Sequence, residues 1–289
     1  MKENGFYYAI VGATFCMGTS FVASKILLQT VPPFTLVGGR FFLAAIATLP
    51  LIFVLKQSFS GISTQNWQKV AVVGLLQTAG TMGLLFLSML YISPSAAAVL
   101  LFTNPLWVSL FSPIILKERI TPPQYFGLFL GFLGVVLLIG FHPNALEMKG
   151  NLLGLASALC WAAATLFAKF NQLKVPPFIL SFGQMLVGGS VLLGVAFFAN
   201  ETYAIASATA NDWFWFAWLV LPSSVGSFGL WYVALSRGGA VKASSFLFLT
   251  PLFTVITSVL VLKTTVSLQQ LLGAVLVGLA LYIVNRVVD

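Results

Sequence analysis

Apolar stretches of about 20 residues recur along this chain, separated by short turns rich in helix breakers, and they predict its architecture. Ten stretches are long and apolar enough to be spanning helices: about 6–28, 34–55, 68–91, 95–116, 122–141, 150–172, 177–199, 213–236, 243–263 and 267–287. A helix needs roughly 20 mainly apolar residues to cross a bilayer core. Between them lie Pro32-Pro33, Ser93-Pro94, Pro122-Pro123, His142-Pro143-Asn144, Pro176-Pro177 and Gly238-Gly239, dipeptides and tripeptides that end helices.

The pattern is written twice. Val31-Pro32-Pro33-Phe34 returns as Val175-Pro176-Pro177-Phe178, and at the same shift of 144 Cys16 falls on Cys160, Lys25 on Lys169 and Gly39 on Gly183. A second block repeats at a shift of 146, pairing Pro105 with Pro251, Lys117 with Lys263, Gln124 with Gln270 and Gly127 with Gly273; a two-residue insertion near Arg237-Gly238-Gly239 accounts for the change. The chain therefore divides into residues 1–143 and 144–289. Five spans per half is an odd number, so the second half enters from the opposite face, giving an inverted repeat about an axis in the membrane plane. The predicted fold is all-α integral membrane: ten transmembrane helices as two inverted five-helix repeats.

Charge orients it. Lys2, Lys56, Lys69, Lys117, Arg119, Lys174, Arg237, Lys242 and Arg286 fall on one side, against Lys149 and Lys263 on the other. Basic loops stay cytoplasmic, which predicts both termini in the cytoplasm. Met1-Lys2-Glu3-Asn4 before an apolar run looks like a secretory leader, but the run is the partner of 150–172 and reads as a retained first span.

Composition agrees. Hydrophobic residues make up 59% and charged residues 7%, with mean hydropathy +1.01, whereas a soluble domain carries roughly 25% charged residues. A net charge of +8 would point to nucleic acid in a soluble chain; here the cations sit in short loops facing membrane lipid. The two cysteines, at duplicate places in apolar helices, read as packing residues rather than a disulfide.

Ser20-Phe21-Val22-Ala23-Ser24-Lys25 closes the first span, Pro32-Pro33-Phe34 leads to Gly39-Arg40-Phe41, and Asn104-Pro105-Leu106 runs to Lys117-Glu118-Arg119. In these motifs the chain resembles the EamA-type transporters of the drug/metabolite transporter superfamily. The resemblance implies transport of small metabolites, often amino-acid export, through a cavity between the halves. Such chains usually end both the fourth and ninth spans with glutamate; here Glu118 fits but its counterpart is Thr264.

Chemistry has few places to sit. The acidic residues Glu3, Glu118, Glu147, Glu201, Asp212 and Asp289 all lie outside the interior of the spans, and the single histidine, His142, falls in a loop. No carboxylate pair, His-x-x-x-His spacing or Gly-rich phosphate loop is present, so no catalytic residue, metal or cofactor is assigned. Three cations fall inside spans. Lys25 and Lys169 either snorkel to the headgroups or face a cavity; Arg40, nearly two turns inside its span with the neutral Gln184 as its duplicate, needs a partner. Polar stripes join them: Gln77, Thr81 and Ser88; Ser223, Ser227 and Trp231; Thr250, Thr254 and Thr257; Asn104 with Trp107. Each stripe reads either as interhelical glue or as cavity lining, with Trp107, Trp161, Trp231 and Tyr232 as apolar walls or interfacial anchors. The candidate substrate-binding residues are thus Lys25, Arg40, Gln77, Thr81, Asn104, Trp107, Trp161, Ser227, Trp231 and Thr250. Pro105 and Pro251 are candidate hinges, mid-span kinks that each free a carbonyl one turn earlier. Gly127-x-x-x-Gly131 in the fifth span suits close helix packing, including a homodimer contact.

These features predict a carrier for small polar metabolites in a bacterial inner membrane, working by alternating access and exporting amino acids or relatives. The rivals are a membrane-embedded enzyme or lipid-modifying protein, which would need a catalytic cluster, and a passive channel, which would need a continuous polar bore.

Overall fold

A computed structural model describes residues 2–92, 94–117, 121–139, 145–202, 208–263 and 268–286. Glu118, His142 and Thr264 lie outside the described residues. The first two spans are Lys2–Leu27 and Pro33–Val54. The third runs as Thr64–Val73, Gly74–Gly80 and Thr81–Ser88. The fourth is split into Pro94–Leu101 and Asn104–Ile115, and the fifth is Pro122–Ile139. The second half repeats the series: Ala145–Phe170, Pro177–Phe198, then Ala210–Val220 with Leu221–Gly226 and Ser227–Gly238. The ninth span comprises Ala240–Ser245, Phe246–Phe248 and Leu249–Leu262, and the tenth is Leu268–Arg286. Among the described residues seven helices are long and apolar enough to cross a membrane by themselves; the others are interrupted or shorter. The whole is a ten-helix membrane fold in two inverted repeats.

Local rules are obeyed twice. Pro33 and Pro177 open their helices, where a missing N–H costs nothing. Lys56 and Asn200, 144 apart, both end helices at φ 52° and 53°, and Lys117 and Lys263, 146 apart, do so at 56° and 57°. The duplicates thus share even their left-handed helix endings.

The halves interlock rather than sit side by side. The first helix packs on the eighth and ninth, and the sixth packs on the third and fourth. At the centre the second and seventh helices lie against each other. Each caps the other's start. The Glu201 carboxylate, just past the seventh helix, accepts from Phe34 N at 3.2 Å, Thr35 N at 2.6 Å and Thr35 Oγ1 at 2.9 Å. Gln57, just past the second, accepts from Phe178 N at 3.1 Å. Gln57 and Phe178 are the duplicates of Glu201 and Phe34. The start of each helix therefore meets the end of the other: the pair is antiparallel and its two-fold axis is perpendicular to both.

The fifth and tenth helices pack along one another at the edge, with Phe126, Phe129, Leu271 and Val275 exposed toward lipid. Gly127 and Gly131 are buried, so the Gly-x-x-x-Gly pair is used inside the molecule. Its expected role as a homodimer contact is corrected accordingly.

The antiparallel pair depends on glycine at its crossing. A Cβ at Gly189 would stand 2.6 Å from Phe42 N, and one at Gly38 would stand 2.8 Å from Leu193 N. Backbone cannot yield as a side chain can. Gly189→Ala and Gly38→Ala are expected to destabilise the protein by about 1–3 kcal/mol, the cost of overpacking. Gly194→Ala, with nothing within 4 Å, is expected to stay within about 0.5 kcal/mol of the parent. Melting of the detergent-purified variants measures this.

Candidate functional site

The third and eighth spans each contain a π-helical segment, Gly74–Gly80 and Leu221–Gly226. Gln77, Thr78, Gly80 and Thr81 have Ser223, Ser224, Gly226 and Ser227 as their duplicates, already at the shift of 146; the two-residue insertion therefore precedes the eighth span, and its expected place near Arg237 is corrected. A π turn widens the helix and leaves backbone groups that local hydroxyls must satisfy. Thr81 Oγ1 donates to Leu76 O at 2.9 Å and Ser224 Oγ to Leu219 O at 2.8 Å, both five residues back. The cysteines pack over these segments: Cys160 Sγ lies 3.1 Å from where a Gly80 Cβ would be, and Cys16 Sγ 3.9 Å from that of Gly226. Both thiols are free.

The π segments receive side chains from the opposite half. Arg40 on the second helix is 4% exposed; its Nε donates to Ser224 Oγ at 2.7 Å and its Nη2 to the Ser223 carbonyl at 3.1 Å. Its guanidinium carbon lies 4.8 Å from the Phe41 ring centre. At the duplicate place Thr78 Oγ1 donates to Gln184 Oε1. The same cross-half bond is thus made twice, once with a charge and once without. Among the described residues no carboxylate pairs with Arg40.

Arg40 forms part of the wall of a cavity between the halves, together with Ser20, Ser24, Ser223, Ser227 and Trp161. The remaining lining is apolar, with Met17, Met82 and Met89 prominent. The open volume is only about 30 Å³, room for about two waters at ~10–15 Å³ each.

Comparison with known proteins decides what this framework belongs to. The profile of the EamA-like transporter family matches residues 5–140 and again residues 148–286. The chain belongs to the EamA-like transporter family. Its relatives include two uncharacterized transporters of Bacillus subtilis, YyaM and YoaV. YyaM is 26% identical over 100% of this chain and 96% of its own length, and YoaV is 27% identical over 93% and 92%. A WAT1-related chloroplast protein of Arabidopsis thaliana is 26% identical over 96% of this chain and 68% of its own length. A protein crystal structure, 18% identical, superposes with TM-score 0.84 over 98% of this chain and 97% of that one, which shows the shared fold.

Within this EamA transporter the predicted site residues separate into groups. Arg40, Trp161 and Ser227 meet at the cavity. Trp231, 1% exposed, stands behind it, edge-on to Trp161 with ring centres 5.8 Å apart. Gln77 and Thr81 are buried on the third span, the Gln77 amide nitrogen without a partner. Asn104 and Thr250, both fully buried, keep unpartnered side-chain atoms; neither is among the residues lining the cavity. Trp107 instead donates its Nε1–H to Thr103 Oγ1 at 3.0 Å and stacks on Phe111. Thr254 and Thr257 act as glue, bonding to backbone carbonyls of their own helix, and Thr254 also reaches Gly18 O at 3.1 Å.

Two expectations need correction. Lys25 is exposed on the outer surface of the first helix and takes no part in the site, because the face of that helix carrying Ser20 and Ser24 is the one turned inward. Lys169 differs from its duplicate: it is half-buried beside Tyr232 and Gln172 in a separate cavity of about 280 Å³. Pro105 is not a kink within a continuous helix: it stands in the first turn of a helix that restarts at Asn104, after a turn at Phe102 and Thr103. Pro251 stands near the start of Leu249–Leu262, after the 3₁₀ turn Phe246–Phe248, and the ninth span stays helical from Lys242 to Val261. A proline cannot accept the interior of a helix but fits its first turn, so the fourth span breaks while the ninth tightens and runs on.

Sequence reasoning missed Ser224, Ser20, Ser24 and the methionines. Met17, Ser20, Phe21 and Ser24 recur at helical spacing, a stripe that was there to be read. Ser224 was hidden by the π segment, which carries it onto a face that a 3.6-residue period does not assign to it.

The charged and neutral cross-half bonds should differ in strength. Ser224→Ala is expected to cost about 1.5–3 kcal/mol, as for a hydrogen bond to a charged group, and Thr78→Ala about 0.5–1.5 kcal/mol. Thermal unfolding of the two variants side by side checks the order.

Proposed function

We propose that this EamA transporter carries small polar metabolites, amino acids or related compounds, out of the cell by alternating access at the interface of its two halves, residues 1–143 and 144–289. The observation that carries this reading is the buried, ion-unpaired guanidinium of Arg40 at a closed cavity between the halves. A cation in that position lacks a counter-charge. A substrate carboxylate supplies one, since the two hydrogen bonds made to Ser224 and Ser223 leave three of the five guanidinium N–H groups unused.

The cycle follows from the architecture. Two similar halves give outward-open and inward-open states of similar energy, and substrate contacts of a few kcal/mol shift the population between them. The break before Pro105 and the 3₁₀ turn before Pro251 supply points where the fourth and ninth spans can change direction. We place the protein in a bacterial cytoplasmic membrane with both termini in the cytoplasm, on the strength of the lysine and arginine distribution. No acidic residue lies well inside a span, which favours movement down the substrate's own gradient over obligatory proton coupling. The apolar closure above Arg40 favours a carrier over an open pore, and the residue inventory supplies no catalytic cluster for an enzyme.

Counterflow in proteoliposomes tests the reading. Preloaded substrate should drive transient accumulation of label, and Arg40→Gln should raise the half-saturating concentration at least about tenfold, equivalent to about 1.4 kcal/mol. Unchanged half-saturation in that variant, or accumulation that requires an imposed pH gradient, would contradict it. Impermeant labelling of cysteines placed at residues 2 and 289 should report the same face for both.

A further inference from the structure

Charge counting at the cavity narrows the substrate. Among the described residues the lining holds one permanent positive charge, Arg40, and no carboxylate. Of the acidic residues, Glu201 is bound to the start of the second helix and Asp212 caps the eighth span through Thr209. A bound monocarboxylate makes the closed site neutral. A bound zwitterion leaves it with one net positive charge, the ammonium, buried out of water beside a guanidinium of the same sign. The groups offered to that ammonium are all uncharged: Ser20 Oγ donates to Met17 O at 2.6 Å and Ser227 Oγ to Ser223 O, which leaves serine hydroxyl oxygens and aromatic rings as its neighbours. Dipoles of this kind offset burial of a full charge poorly. The rest of the lining is apolar and adaptable, with Met17, Met82, Met89, Phe21, Phe86 and Phe228; thioether side chains re-pack readily around different shapes.

We infer that the site selects organic anions carrying one carboxylate, an apolar body and no free ammonium: 2-oxo, 2-hydroxy or N-acyl relatives of branched and aromatic amino acids. This rests on Arg40 being the carboxylate anchor and deepens that reading. The unpartnered Nε1–H of Trp161, from a ring that lines the same cavity, is a further donor that a 2-oxo, hydroxyl or acyl oxygen can accept from.

The test uses the full-length protein in detergent and follows thermal stabilisation, which reports binding to the folded form. The probes are leucine and phenylalanine, their 2-oxo and N-acetyl counterparts, and the amines 3-methylbutylamine and 2-phenylethylamine. The acids are expected to bind at least about tenfold more tightly than the matching zwitterions, with no shift from the amines. Arg40→Gln should abolish the stabilisation. Should that variant fail to fold, Arg40→Lys, which keeps the charge but loses the planar fork, should weaken the acids while preserving their rank over the zwitterions. Zwitterions binding as tightly as the acids, with stabilisation still dependent on Arg40, would overturn this inference and leave the carrier reading standing. Acid binding indifferent to Arg40 would overturn both. No stabilisation by any of the acids would overturn the inference as stated.

Discussion

The protein is built around a guanidinium that has been taken out of water and that has no ion-pair partner among the described residues. Burying a cation inside a membrane protein is costly, and here the cost is only partly offset by a serine hydroxyl, one backbone carbonyl and an aromatic ring. All the architecture around Arg40 serves that placement. The second helix must cross the seventh closely enough to reach the opposite half, which requires glycine at the crossing. The eighth span must open into a π segment so that Ser223 and Ser224 can both present oxygen to one side chain.

The two-fold relationship makes the consequences of asymmetry easy to see. Every major feature has a twin: the π segments, the cysteines packed over them, the interruptions before proline, the helix-start caps and the cross-half hydrogen bond. Several of the twins differ in charge: Arg40 has Gln184 as its duplicate and Glu201 has Gln57. The lysine twins differ in placement instead, Lys169 lining a cavity while Lys25 is exposed. In the proposed cycle, near-symmetric packing supplies two arrangements of comparable stability, and the charges without a charged twin bias which ligands favour either.

Much of this was legible in the chain. Span positions, the duplication and its inversion follow from breaker residues, the odd number of spans per half and the lysine and arginine distribution, because membrane insertion imposes strong, local requirements. Arg40 was legible as well, since a cation nearly two turns inside an apolar helix has few explanations. What escaped was rotational. Depth along the helix left Lys25 open between the headgroups and the cavity, because helix orientation is set by packing against the eighth and ninth spans, which no local pattern encodes. Ser224 escaped because a π segment changes the angular period within one helix. The prolines were legible as disruptive, but the same Pro signal accompanies a broken fourth span and a ninth span that only tightens into a 3₁₀ turn, a difference set by tertiary packing.

The helix-start caps carry one more implication. Three donors converge on the carboxylate of Glu201 at one rim of the central helix pair, while a single donor meets the amide of Gln57 at the other. An anion on a helix start is held by the aligned peptide dipoles as well as by its hydrogen bonds; a neutral amide gains far less. The central seam is therefore riveted at one end and merely buttoned at the other. Prised apart by a rocking motion, it parts first on the cytoplasmic side in the proposed orientation, and the outer rim serves as the fulcrum.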